Sequence, residues 1–435
     1  MLITHLASLA VQAAAPVLDP ETATRAYLAT LDGAARARSD AYFEGGYWLI
    51  LVNFVIGLAV AGLLLQTGFA RKLRDVLLGW VKFNWLATLI FAAVYSVVTA
   101  LLTFPMTVYQ GFFREHAYNL STMSFPAWLA EWGINLGVGA LMFAVFITLL
   151  YIIIRITRAS WWLWGTGMSV AFLAFILFIS PVYIDPLFND YQPMEQGELR
   201  DDILGIARAN GIPADDVYVF DVSRQSNRIT ANVSGLLDTT RIALSDTLIE
   251  NTDRDEVLAV MAHEMGHYVL NHLWKMFAFF AVLAAIGFAV TNGLFNWANR
   301  ALGRKWGISG IGDVAGLPLL MASLSVFFFL ATPILNTIIR TQEAEADIFG
   351  LNAAREPDGF ATVSLRLSSY RKIEPGPLEE WVFFDHPSGH ARVFMAMQWK
   401  SAQLELGATD QTPELHLDRA EAIAAELEAA NTVTQ

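Results

Sequence analysis

The chain has 435 residues, 55% of them hydrophobic and only 16% charged, with 29 Phe and 13 Trp. An ordinary globular chain carries about 25% charged residues, so the composition excludes a conventional soluble domain and points to a bilayer as solvent. A formal charge of −13 and the complete absence of cysteine exclude nucleic acid as a partner, a disulfide framework and thiolate chemistry. Any metal must therefore be held by His and carboxylates.

Residues 1–20, with the apolar run from Leu9 to Ala15, read either as a signal peptide without its positive leading segment or as a weak first span. Over 21–183 four stretches are apolar across the roughly 20 residues that a helix needs to cross hydrocarbon. They lie near 46–66, 85–104, 133–154 and 161–183, flanked by Tyr47, Trp48, Trp132, Trp161, Trp162 and Tyr183 as interfacial aromatics. From 184 to 275 the texture becomes that of a water-soluble segment. An amphipathic helix from Gly197 to Asn210 ends at Gly211-Ile212-Pro213, and short strands follow at Val217–Phe220, Ile229–Ser234 and Arg241–Leu244. Asp253 followed by Glu256 is a capping-box pattern that opens a long helix. Two further spans, near 276–295 and 317–339, make a transmembrane hairpin over 276–339; residues 340–400 return as soluble helix and loop. Residues 401–435 read as a solvated acidic tail, helical from Arg419 to Ala430.

The capped helix carries His263-Glu264-Met265-Gly266-His267, an H-E-x-x-H arrangement. Four residues is close to one helical turn, so both imidazoles leave one face and can hold one zinc ion per chain. Glu264 projects beside them, where it can take a proton from the attacking water. Two helix-face histidines without a metal are the plainer alternative. A catalytic zinc uses three protein ligands, which forces a search for a third. The hairpin brings the chain back to the face it left, at Glu343-Ala344-Glu345-Ala346-Asp347. Glu343 and Asp347 are one turn apart on one face, and Glu345 points elsewhere. Glu343 is the expected ligand, and Asp347 the carboxylate that orients a ligating His. A solvated acidic helix start reads the same in isolation.

These motifs resemble the Ste24-type CAAX prenyl proteases of the M48 zinc metallopeptidases. The resemblance rests on His263 to His267, on Arg340 ahead of Glu343 to Asp347, and on His386-Pro387 with Arg392. It extends to Phe104–Tyr109, Glu115–Asn119, Asp185–Phe188 and Gly197–Leu199. It implies seven helices around a water-filled chamber, hydrolysis of peptide bonds by zinc-activated water, Glu343 as third ligand, and His386 and Arg392 near the substrate carbonyl. It also implies a substrate-binding edge strand, here around Ala231 and Asn232, where Thr230-Ala231-Asn232-Val233 departs from the family's Asn-Ala-aromatic. The expected fold is mostly α: a polytopic membrane bundle of six to seven spans with a small α+β zinc metallopeptidase domain.

The expected function is an integral-membrane zinc metalloendopeptidase with Glu264 as general base. Its partners are the lipid bilayer and a peptide or protein substrate, prenylated or otherwise membrane-associated. A catalytically silent chamber that shelters membrane polypeptides shares the fold but needs no Glu264. A transporter is disfavoured because the spans hold almost no charge. Loops 67–84, 155–160 and 296–316 carry Arg71, Lys72, Arg74, Lys82, Arg155, Arg158, Arg300, Arg304 and Lys305. By the positive-inside rule these face the cytoplasm and the catalytic segment is extracytoplasmic; the family resemblance implies the opposite.

Overall fold

The computed structural model describes residues 18–31, 33–235 and 240–432. The signal peptide or weak first span expected at 1–20 falls almost wholly on residues outside these. In chain order come α1 (Pro20–Thr30), α2 (Ala34–Gln66), α3 (Phe69–Trp80) and α4 (Asn84–Val108), which runs through a π-helical stretch into α5 (Glu115–Ala117). Next are α6 (Phe125–Thr157), α7 (Trp161–Ile179), β1 (Tyr191–Pro193), α8 (Glu198–Ala209), β2 (Val217–Phe220), β3 (Ala231–Ser234) and β4 (Arg241–Ser245). The rest is helical: α9 (Asp246–Asn251), α10 (Arg254–Val269), α11 (His272–Trp306), α12 (Leu317–Ala354), α13 (Pro357–Leu367), α14 (Pro377–Phe383), α15 (Gly389–Glu405) and α16 (Leu417–Thr432).

Five helical stretches are long and apolar enough to cross a membrane, and one of them, Phe125–Leu187, is 63 residues long. That is about three times what one crossing needs. It comprises α6 and α7, which turn back on each other at Arg158–Ser160, where Arg158 has φ 50°. With that turn counted, six helices among the described residues are long and apolar enough to cross: α2, α4, α6, α7, α11 and α12. Their shared core is built on Phe91, Ile147, Tyr151, Ile154, Trp161, Phe295 and Leu317, all nearly inaccessible. Leu63, Leu101, Val282 and Leu330 point outward, as side chains dissolved in lipid do.

A small sheet in the order β1-β2-β4-β3 stands beside the bundle, with β2 parallel to β4 and both outer pairings antiparallel. Its core, with Ile203, Val217, Ile242, Leu244, Leu248, Met261 and Met265, packs α8 and α10 against the strands. β1 was not legible in the sequence: three residues ending in proline are too few to show a period of two.

Two terminal segments differ from expectation. α1 lies in the stretch 21–183 that the sequence assigns to membrane helices, yet it packs on α13, α15 and α16 with Tyr27 fully buried. The acidic tail is likewise partly structural, since α16 buries Ala420 and Ile423 against the same group. A buried polar knot ties them. Lys400 Nζ pairs with Asp358 Oδ2 at 2.6 Å, Tyr27 donates to Asp358 Oδ1 at 2.6 Å, and His416 N donates to the Tyr27 hydroxyl at 2.9 Å. Removing one member of a buried ion pair typically costs 3–5 kcal/mol because the other charge is stranded. Lys400→Met should therefore destabilise by about 3 kcal/mol, at the low end because Tyr27 still serves Asp358. Unfolding in detergent micelles checks this against Arg25→Ala, which breaks the exposed Arg25–Glu21 pair and should change stability by less than about 1 kcal/mol.

Candidate metal centre

α10 starts on the capping box that the sequence predicts: Glu256 Oε2 accepts from Asp253 N at 2.9 Å. Arg419 of α16 reinforces it, with Nη2 3.1 Å from Glu256 Oε2 and Nε 2.8 Å from Asp253 Oδ2. The first turn of the H-E-x-x-H helix is thereby fixed from outside.

α10 then lies directly on α12, and glycine makes this possible at two points. A Cβ on Gly266 would stand 3.1 Å from Phe349 and 3.2 Å from Ala346 Cα. A Cβ on Gly350 would stand 3.0 Å from His263 N. At this spacing Glu343, on the last part of α12, reaches both histidines. His263 Nε2 and His267 Nε2 are 3.1 Å apart, and Glu343 oxygens lie 3.3 Å from the first and 3.5 Å from the second. Four ligands at about 2.0–2.1 Å around zinc stand about 3.3 Å from one another. The two imidazole nitrogens and the Glu343 carboxylate converge at separations of this order, and the N, N, O chemistry of the set fits zinc. It is also the one His/Asp/Glu group among the described residues with three converging ligand atoms.

Asp347, with no exposed surface, stands 2.8 Å from His263 Nδ1. The ring N–H is off the line to Oδ1, so the contact is more electrostatic than directional. Arg392 is buried with Nε donating to Asp347 Oδ2 at 3.0 Å and Nη2 to Glu343 Oε2 at 3.4 Å. Its donors thus serve the two carboxylates of α12, a different engagement from the substrate carbonyl that the resemblance implies. His386 turns Nδ1 to Asp385 at 2.8 Å and Nε2 to Glu343 Oε2 at 3.2 Å.

One member of the site is absent from the sequence reading. His272 Nδ1 is 2.9 Å from His267 Nδ1, and its Nε2 is 3.1 Å from Glu345, which also pairs with Lys275 at 2.5 Å. Glu345 does point away from the centre, but to a purpose. Asn271, at φ 57°, breaks α10 from α11 and folds His272 back. With His267 Nε2 turned to the centre, its Nδ1–H donates to His272, whose other N–H donates to Glu345. The spacing His267–His272 and the Asn between them were the available signal.

Glu264, His263, His386, Arg392 and Asp347 line a cavity of about 260 Å³ with Arg371, Tyr370 and the segment Ile229–Ala231. Ala231 faces this cavity; Asn232, next along β3, is not among its lining residues, as strand alternation dictates. Burial pushes the Glu264 carboxyl up to about 7. Burial and the neighbouring His263 pull His267 down to about 4. Burial also pulls on His263, but Asp347 and Glu343 outweigh it and hold that ring up at about 9. The two rings thus shift in opposite directions.

Known proteins agree with this geometry. Residues 193–400 match peptidase family M48, and residues 22–190 match the CAAX prenyl protease N-terminal region of five membrane helices. An uncharacterized metalloprotease of Bacillus subtilis, YhfN, is 32% identical over 78% of this chain and 80% of its own length. CAAX prenyl protease 1 of Saccharomyces cerevisiae is 27% identical over 71% of this chain and 72% of its own. The crystal structure of Ste24p from S. mikatae superposes with a TM-score of 0.70 at 21% identity, covering 87% of this chain and 94% of that one. The chain belongs to the M48 family of zinc metallopeptidases, in its Ste24-like branch of multi-pass membrane proteins. Asp347→Asn should keep the fold yet weaken zinc binding about 10–100-fold, the usual effect of losing a carboxylate behind a ligating His; competition with a chromogenic chelator measures it.

Proposed function

We propose that the protein is a zinc metalloendopeptidase that cleaves extended polypeptides at the membrane surface, prenylated chains among them. The observation that carries this reading is Glu264 in the same cavity as His263, His386 and the edge of the sheet. Zinc supplies a Lewis acid and lowers the pKa of water; His263, His267 and Glu343 are the residues that hold it. Glu264 accepts the proton of the attacking water and returns it to the leaving amine. His386, fixed through Nδ1 by Asp385, donates Nε2–H to the oxyanion. Arg392 positions Glu343 and Asp347.

β3 is an outer strand whose one partner among the described strands is β4. Its free edge suits an extended peptide added as a further strand, with backbone groups giving affinity. Selectivity then rests on Ala231, which faces the cavity, more than on Asn232. The membrane association of the substrate follows from α12. Glu343 is four residues past the expected end of its span at 339, roughly 6 Å or just over one turn along the helix, which supports a site close to the bilayer surface. A silent sheltering chamber would have no use for Glu264 at this position.

Three alanine substitutions, at His263, His267 or Glu343, should each remove most bound zinc and all activity. Glu264→Gln should keep zinc and peptide but lose about 10²–10⁴-fold in turnover. Turnover near wild type with normal zinc content would reject Glu264 as the base. On the charge bias of the opposite loops, read by the positive-inside rule, we propose that the catalytic face lies outside the cytoplasm; the C-terminal tail should then be digested by protease added to intact cells. Protection until lysis would reverse the orientation.

A further inference from the structure

A second cavity, of about 600 Å³, opens at the end of α12 remote from the metal centre. It is lined by Arg74, Asp75 and Leu78 of α3, Asn84 and Thr88 of α4, Arg155 of α6 and the 309–314 loop that leads into α12. Its depth follows from the sequence. Asn84 stands one residue before the apolar stretch 85–104, Arg155 one residue after 133–154, and Val314 three residues before 317–339. Three span ends thus meet around the cavity, which puts it at the level of lipid headgroups. Trp80, Phe83 and Trp85, which fall between the lining residues Leu78 and Thr88, are all exposed, as aromatics of an interfacial belt are.

The charged groups of the lining are engaged unequally. Arg74 is fully occupied by Asp75, Asp313 and the Gly307 carbonyl. Asp313 is occupied as well, accepting from Arg74, Ser309 and Ala315 N. Arg155 differs. Its Nε donates to the Gly312 carbonyl and its Nη1 to Thr88 Oγ1, each at 3.0 Å. Both partners are neutral, and Arg155 makes no ion pair with any described residue. Its Nη2 has no acceptor among them. Asp75 is half free: Oδ1 accepts from Arg74, Oδ2 accepts from no described group, and the side chain is 58% exposed.

A guanidinium held in place by neutral partners, with one donor left over, is suited to a phosphate oxygen. A carboxylate with a free oxygen suits an ammonium. Two Arg and two Asp leave the lining without net charge, which fits a ligand carrying both signs better than a simple anion.

We propose that this cavity binds the headgroup of a zwitterionic phospholipid from the leaflet opposite the catalytic domain, with its phosphate on Arg155 and its ammonium on Asp75. A volume of about 600 Å³ lies within the range of small-ligand sites. Free phosphate shares part of this chemistry, but the meeting of span ends and the exposed aromatics favour the lipid. Bound there, the headgroup bridges α4, α6 and the loop from which α12 departs.

The test takes the full-length protein, delipidated in detergent micelles, and adds phosphatidylethanolamine, phosphatidylglycerol or diacylglycerol with the same chains. Bound lipid is counted by native mass spectrometry. Wild type should bind one phosphatidylethanolamine about 10–100-fold more tightly than diacylglycerol, the usual worth of a charge-assisted bond. It should prefer phosphatidylethanolamine to phosphatidylglycerol about twofold to fivefold, as an exposed ion pair allows. Arg155→Gln should lose the first preference and Asp75→Asn the second. Leu78→Trp, which narrows the cavity without touching a charge, should weaken phospholipid binding as much as Arg155→Gln, while Lys82→Gln, on the same face but off the lining, should change neither. Zinc content of the same preparations shows that each variant is folded. No preference over diacylglycerol in wild type, or one that survives both Arg155→Gln and Leu78→Trp, overturns the inference. Equal binding of the two phospholipids overturns the part given to Asp75. Inorganic phosphate that binds by calorimetry and is lost in Arg155→Gln, with no lipid retained by wild type, overturns the lipid in favour of a soluble anion.

Discussion

The close approach of α10 and α12 is the constraint on which the site depends. Two histidines on one helix need a third donor from elsewhere, and Glu343 is nearly eighty positions away in sequence. It arrives only if the backbones come within the distance that Gly266 and Gly350 allow. Interiors are close-packed, so an added methyl at either position would be transmitted as a shift of the ligand. The continuity of α12 helps here. It is one helix from Leu317 to Ala354, so the hydrocarbon that fixes its lower part also fixes where Glu343 and Asp347 stand. Bundle and catalytic domain share a structural member rather than a linker.

Around that contact the terminal segments act as clamps. α1 precedes the first described span and α16 follows the catalytic domain, yet α1 packs on α13 and α15 and α16 packs on α13 and α1. Arg419 reaches from α16 to the capping box of α10, and Tyr27 reaches from α1 to Asp358. An acidic tail with one basic residue looks like a solvated appendage. The one basic residue is instead its point of attachment.

Much of this was legible because the bilayer imposes simple rules. Twenty-residue apolar runs give the spans, and the four-residue spacing of His263 and His267 survives any tertiary context because it belongs to one helix. Glu343 was reachable through topology, since a hairpin must return to the face it left. What could not be read depends on contacts between distant segments. His272 joins the site through a single left-handed residue, Asn271, whose conformation periodicity does not reveal. α1 looks too short and polar to assign, and its place is set by Tyr27 finding Asp358 more than 300 positions later. Arg392 could be placed near the site by its motif, but whether its donors face substrate or carboxylate is a matter of ångströms.

Charge balance ties the centre to its surroundings. Glu264, Glu343 and Asp347 bring three carboxylates into a buried space, and Arg392 is the one guanidinium bonded among them. Isolated buried charge is expensive, and groups in that situation shift their protonation or acquire a partner. A divalent cation at the point where His263, His267 and Glu343 converge balances the set. Behind His267 the contact to His272 fixes Nδ1 as donor, and behind His263 the Asp347 carboxylate stands 2.8 Å from Nδ1. With that balance met, His386 and Asp385 form a further matched pair.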